Sequence, residues 1–101
     1  MAKWGFLTNH ALVLIHVFQH PRSTLRDIAD AVGITERAVR SCLRQMEAEQ
    51  LVSRAREGRN NRYTVNVAGV LAYETPGNYT LEQIAVTVAD VAAELRRARA
   101  G

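Results

Sequence analysis

Thr24 to Arg54 reads TLRDIADAVGITERAVRSCLRQMEAEQLVSR, and the punctuation of this stretch decides the fold. Ser23 or Thr24 caps a short helix, because a hydroxyl there accepts one of the amides that the first turn leaves without a partner. Leu25, Ile28, Ala29 and Val32 fall on one face of that helix. Gly33 then stops it, since glycine takes the left-handed conformation that ends a helix at little steric cost. Ile34 follows as a buried plug, and Thr35 caps a further helix running to about Glu49. Val39, Leu43 and Met46 recur at intervals of four and three and form its core stripe, while Arg37, Arg40, Ser41 and Arg44 point elsewhere. This helix has one apolar face and one basic face.

Upstream, Thr8 caps a first helix, with Leu7 and Leu12 at the spacing of a hydrophobic staple. That helix ends near His20, because Pro21 disfavours helical geometry in the residue before it. Ala11, Leu14, Val17 and Phe18 are its expected apolar face. Downstream, LVSRAR and NRYTVN are short β-prone runs flanking EGRN, whose Gly and Asn suit a tight reversal. The result is a hairpin with a basic tip. From Val67 to Asn78 the pattern weakens, and Pro76, Gly77 and Asn78 mark a loop that can act as a linker. The last helix begins with Thr80 and Gln83 as a capping box and Tyr79 with Ile84 as its staple. Leu81, Ile84, Val88, Val91 and Leu95 then recur with the spacing of a coiled-coil seam. Arg96, Arg97 and Arg99 lie at the helix end where the dipole favours cations. The expected architecture is mainly α with a small β-hairpin: three helices and a hairpin over 1–66, a linker over 67–79, and a C-terminal helix over 80–101.

Length and composition agree with this plan. The 101 residues suit one compact core plus one extra element, and 48% hydrophobic against 23% charged is a globular composition. Twelve of the 13 basic residues are arginine, and Arg54, Arg56, Arg59 and Arg62 fall within nine residues that contain one acid, Glu57. With a net charge of +3, that density points to a polyanionic partner more than the total does. A single cysteine excludes an intramolecular disulfide, and MAKWGFLTNH lacks the form of a secretory signal, so cytoplasm is the expected location. The apolar run Ala11 to Phe18 is interrupted by His16 and is far short of the ~20 residues of a membrane span.

The stretch quoted above, with Ala29, Gly33, Ile34 and the Thr35-capped helix at its centre, resembles the winged helix-turn-helix domain of bacterial transcriptional regulators of the MarR and ArsR type. The resemblance covers about Thr8 to Asn66, with LVSRAREGRNNRYTVN as the wing. It implies a regulator of transcription that binds double-stranded DNA, with the helix at 35–49 in the major groove, where each base pair presents a distinct pattern. Carried over by position, Arg37, Arg40 and Arg44 are the base contacts, Arg44 being equally suited to phosphate. Thr35 and Ser41 would meet the backbone, and Arg56, Arg59, Asn60 and Arg62 would reach a flanking phosphate or the minor groove. Arg54, near the strand base, is expected to be partly buried. A winged-helix module that contacts another protein and no DNA is the alternative.

The terminal seam either folds back on the first helix or pairs with the same helix of a second chain, and a homodimer is expected. Other candidates carry less. His16 and His20 have a spacing that can bind zinc, but no Cys or acid cluster completes a site, so no metal or other cofactor is expected. Cys42, beside Leu43, reads as a small hydrophobe rather than a redox switch. Trp4 and Phe6 read as packing residues, and Asp27, Asp30 and Asp90 as solvated helix positions. Without a glycine-rich phosphate loop or partners for the cysteine, the chain reads as a non-enzyme. No feature identifies a small-molecule effector.

Overall fold

A computed structural model describes residues 7–75 and 77–100. The readings at Trp4, Phe6, Pro76 and Gly101 lie outside them. The chain divides into two compact units, Met1–Asn66 and Val67–Gly101.

In the first unit, α1 spans Asn9–Gln19, α2 Leu25–Val32 and α3 Glu36–Ala48. All three helices open on a threonine. The hydroxyls of Thr8, Thr24 and Thr35 accept from the amides of Ala11, Asp27 and Ala38 at 3.2, 3.0 and 3.1 Å. At Thr24 the box closes, because its own amide donates to Asp27 Oδ2 at 3.0 Å. That bond holds the Asp27 carboxyl below its usual range, so Asp27 is a capping residue as well as an exposed one. Between α2 and α3, Gly33 has φ +83° and its amide donates to Ala29 O at 2.8 Å. A Cβ there would meet nothing within 4 Å, so the dihedral alone calls for glycine.

The hairpin is β1 Val52–Glu57 and β2 Asn60–Val65, antiparallel, with Glu57 opposite Asn60. The reversal is tighter than EGRN implies: only Gly58 and Arg59 lie outside the ladder, and Gly58 has φ +60°. A positive φ at the first of two loop residues is the signature of a primed turn that matches strand twist. Where α3 meets β1, Gln50 takes φ +60°. Its amide donates to Glu47 O at 3.0 Å and that of Leu51 to Met46 O at 2.9 Å, the paired bonds of a Schellman stop. Asn66 fastens the hairpin's end to this corner, donating from Nδ2 to Gln50 O and from its amide to Leu51 O, at 3.0 and 2.8 Å.

The core comprises Val13, Val17, Ile28, Ala29, Val39, Cys42, Leu43, Met46, Val52 and Tyr63. Two expectations are corrected. On α1 the buried residues are Val13 and Val17, while Ala11 and Leu14 are half-buried and Phe18 is 61% exposed. The run ALVLIHVF is apolar around most of the helix, so periodicity selects no single face. Ile34 is half-buried against the core instead of fully enclosed.

The second unit begins where a linker was expected. Val67–Ala72 forms a short helix, α4, and Glu74 bridges to Thr80 in antiparallel fashion. Hydrogen bonds from the amides of Thr75 to Tyr79 O (2.8 Å) and Leu81 to Tyr73 O (3.1 Å) close the loop between them. Backbone pairing thus orders a segment whose side chains carry little pattern. α5 spans Leu81–Ala100, and Thr80 and Gln83 form the reciprocal cap at 2.8 and 3.2 Å. Tyr79 and Ile84, the expected staple, are both exposed.

Candidate nucleic-acid interface

Helix α3 sorts its side chains cleanly. Val39, Cys42, Leu43 and Met46 are buried, and Arg37, Arg40, Ser41 and Arg44 are exposed on the opposite side. Gln45 joins this outer face and hydrogen-bonds His10 of α1. Among the described residues, none of Arg37, Arg40 and Arg44 forms an ion pair. Their guanidiniums therefore retain the donor forks that can pair bidentately with guanine or phosphate. Thr35 is partly committed: its oxygen accepts from Ala38, which leaves the hydroxyl hydrogen as the group it can offer outward.

The wing is not one basic patch. Residues paired across a ladder share a face, so Arg54 (opposite Tyr63) and Arg56 (opposite Asn61) lie on the inner face with buried Val52 and Tyr63. Arg62, opposite Ala55, lies on the outer face with Glu57 and Asn60, and exposed Arg59 sits at the turn. Strand alternation divides what looks like a cluster in one dimension.

Carboxylates engage two of these arginines. Glu57 accepts from Arg22 Nε at 3.0 Å and lies 3.6 Å from Arg62 Nη1, and these cations hold its carboxyl below the usual range, Arg22 contributing most. Arg54, exposed and not partly buried as expected, lies 3.5 Å from Glu47 of α3. Arg56 donates to Gly58 O at 3.1 Å, which stiffens the turn. Arg22, Glu47, Asn61 and Gln45 join the site without a sequence signal of their own. Arg22 and Glu57 are 35 positions apart, and no local pattern joins them.

Between α3 and the inner face of the hairpin lies a recess lined by Arg40, Arg44, Glu47, Arg54, Asn61 and Tyr63. Elsewhere, His16 and Ser23 connect α1 to the start of α2. Ser23 Oγ donates to His20 O at 2.9 Å and so accepts from His16 Nε2 at 3.0 Å. Burial, and then neighbouring His20, lower the pKa of His16. The Cys42 thiol is buried and its pKa is raised for the same reason, which disfavours the reactive thiolate. Among the described residues, no group of three or more His, Cys, Asp or Glu is placed to hold a metal ion. No described helix is long and apolar enough to cross a membrane.

Three helices with a two-residue hairpin loop, the third helix exposed beside the hairpin, define a winged helix-turn-helix. The family model for the sugar transport-related sRNA regulator N-terminal domain matches residues 8–72, and the chain belongs to that family, the winged-helix DNA-binding domain of a transcription regulator. The fold also matches MepR of Staphylococcus aureus, a MarR-family regulator. A single-residue MepR mutant from a multidrug-resistant clinical isolate aligns at 19% identity and TM-score 0.61, over 91% of this chain and 63% of that one. A second single-residue mutant gives 19% and 0.61 over 95% and 66%, and the MepR–DNA complex 19% and 0.61 over 93% and 73%. The chain thus spans less than two thirds of the first two relatives' length. No curated protein sequence matches it.

Proposed function

We propose that this chain is a sequence-specific, double-stranded-DNA-binding regulator of transcription that works as a cytoplasmic homodimer, without catalysis or a cofactor. The observation that carries the reading is the outer face of α3, where Arg37, Arg40, Ser41 and Arg44 are exposed together and the arginines have no ion-pair partner among the described residues. Laid in the major groove, Arg37 and Arg40 read base edges, Thr35 and Ser41 meet phosphate, and Arg56, Arg59, Asn60 and Arg62 contact the flanking backbone or minor groove. The MepR–DNA complex supports this use of the fold.

The dimer rests on α5. Ile84, Val88, Val91 and Leu95 are 40%, 62%, 63% and 51% exposed along one stripe, continued by half-buried Leu81. An apolar stripe of this length left in water favours pairing with a second copy. Two-fold pairing would set two α3 helices about one DNA turn apart, ~34 Å, on a palindromic site.

Selection from random duplexes followed by sequencing tests the reading, with an enriched two-fold symmetric motif expected. Arg37→Ala with Arg40→Ala should abolish base preference, and Arg56, Arg59 and Arg62 to Ala should weaken binding to every duplex and flatten its salt dependence. Light scattering on the eluting protein should give twice the 11.2 kDa chain mass. If no duplex is enriched and none of these substitutions alters binding, a protein-interaction module is the better reading.

A further inference from the structure

The recess between α3 and the inner face of the hairpin brings three guanidiniums, Arg40, Arg44 and Arg54, and the Asn61 amide around one carboxylate, Glu47. Three cations against one anion leave two uncompensated positive charges in one concavity. Buried Leu43 and Tyr63 form its wall, and a low-dielectric wall concentrates the field above it. Glu47 approaches Arg54 only to 3.5 Å, so it neutralises that cation without saturating its donor fork. The recess encloses about 100 Å³, space for several water molecules and so for the head of a tetrahedral oxyanion.

We propose that this recess is the seat of one backbone phosphodiester, held by Arg44, Arg54 and Asn61, with Glu47 as the internal anion it displaces from Arg54. The inference rests on the DNA-binding reading above and deepens it. If α3 occupies a major groove and the hairpin the adjacent minor groove, the sugar–phosphate strand dividing those grooves must pass between helix and hairpin. The recess lies on that path. Arg44 is thereby a phosphate ligand and not a base reader, while Arg40, which lines both the recess and the outer face of α3, stays with the bases.

The test uses the full chain and a duplex it binds, remade as a series in which one phosphate at a time is replaced by an uncharged methylphosphonate. Wild type should show several contacted positions per half-site where the replacement weakens binding, and at the one that crosses the recess the loss should be about tenfold. At that position alone, Arg54→Ala and Asn61→Ala should already have lost the affinity, so the replacement costs them nothing further. Glu47→Gln should tighten binding severalfold to every duplex, a gain that misfolding cannot produce. If Arg54→Ala weakens all methylphosphonate duplexes alike, or Glu47→Gln binds no more tightly, the seat is refuted while DNA binding stands. If wild type binds no duplex, the functional reading falls and the seat with it. Titration of inorganic phosphate into the DNA-free protein, followed by the Asn61 side-chain amide resonance, separates the two sources of the same chemistry. Saturation at low millimolar phosphate would assign the recess to a free oxyanion and overturn the phosphodiester assignment, and its absence supports it.

Discussion

Replacing Gln50 with glycine should stabilise the helix-turn-helix unit. Gln50 stands at the left-handed position of the stop between α3 and β1, with φ +60°, where the Leu51 to Met46 and Gln50 to Glu47 bonds require that conformation. A residue with a Cβ is disfavoured there by about 1–2 kcal/mol, whereas glycine adds about 0.4–1 kcal/mol of unfolded-state freedom. The difference for Gln50→Gly is a gain of about 0.5–1 kcal/mol, or about 2–8 °C in melting temperature for a unit of this size. The Asn66 bond survives, because it is accepted by the Gln50 backbone carbonyl. Gly33→Ala is the mirror experiment. At φ +83° with nothing within 4 Å of the new Cβ, the same terms apply with opposite sign and predict a loss of about 0.5–1 kcal/mol. Thermal unfolding followed by circular dichroism measures both, and Gln50→Asn should fall between glutamine and glycine. If Gln50→Ala stabilises as much as Gln50→Gly, the gain has another origin and the argument from backbone strain fails.

Three further outcomes follow from the same geometry. Leu43→Ala removes a buried side chain from α3 and should cost about 2–5 kcal/mol, enough to shift a urea midpoint by most of its value and to abolish duplex binding in parallel. His16 has its folded pKa below the 6.5 of the free side chain, so the stability it contributes is full above that value and is lost as pH falls through 6.5 toward the lower folded value. Melting temperature should decline over that window in wild type and less in His16→Gln. Glu57→Gln should free Arg22 and Arg62 for phosphate, which raises affinity for every duplex and steepens its salt dependence, as fluorescence anisotropy across a potassium chloride series would show.

The elements legible in the sequence are those whose signals are local. Each threonine cap lies three residues before the amide it accepts, and Gly33 announces its dihedral by its identity. The inner and outer faces of α3 follow from one helical period. What stayed hidden depends on pairing across space or on context. The arginines at 54–62 look like one patch until strand alternation divides them, and Glu47 and Glu57 show their partners only once helix, loop and hairpin are assembled. Gln50 is a left-handed residue without the side chain that advertises one. α4 has only six residues, VAGVLA, too few and too uniformly apolar for a helical period to mark it, so a weak pattern there conceals order.

The placement of carboxylates bears on how such a domain would discriminate between sequences. Affinity for arbitrary DNA comes from cations that neutralise phosphate, whereas preference among sequences comes from donors that reach base edges. In this chain Glu57 and Glu47 stand against Arg22, Arg62 and Arg54, around the hairpin, and among the described residues the arginines of the outer face of α3 have no ion-paired carboxylate. Phosphate contacts made by the paired arginines must therefore displace a carboxylate, which weakens binding to every duplex alike. The base contacts proposed for Arg37 and Arg40 would involve no such exchange. That common factor cancels in the ratio of specific to non-specific binding, but acids placed beside the wing and kept from the outer face of α3 lower the affinity for arbitrary DNA, so that base contacts would make up a larger share of the total binding free energy. The modest net charge of +3, with acidic residues distributed in this way, is what a reader of sequence requires more than a general binder of polyanions.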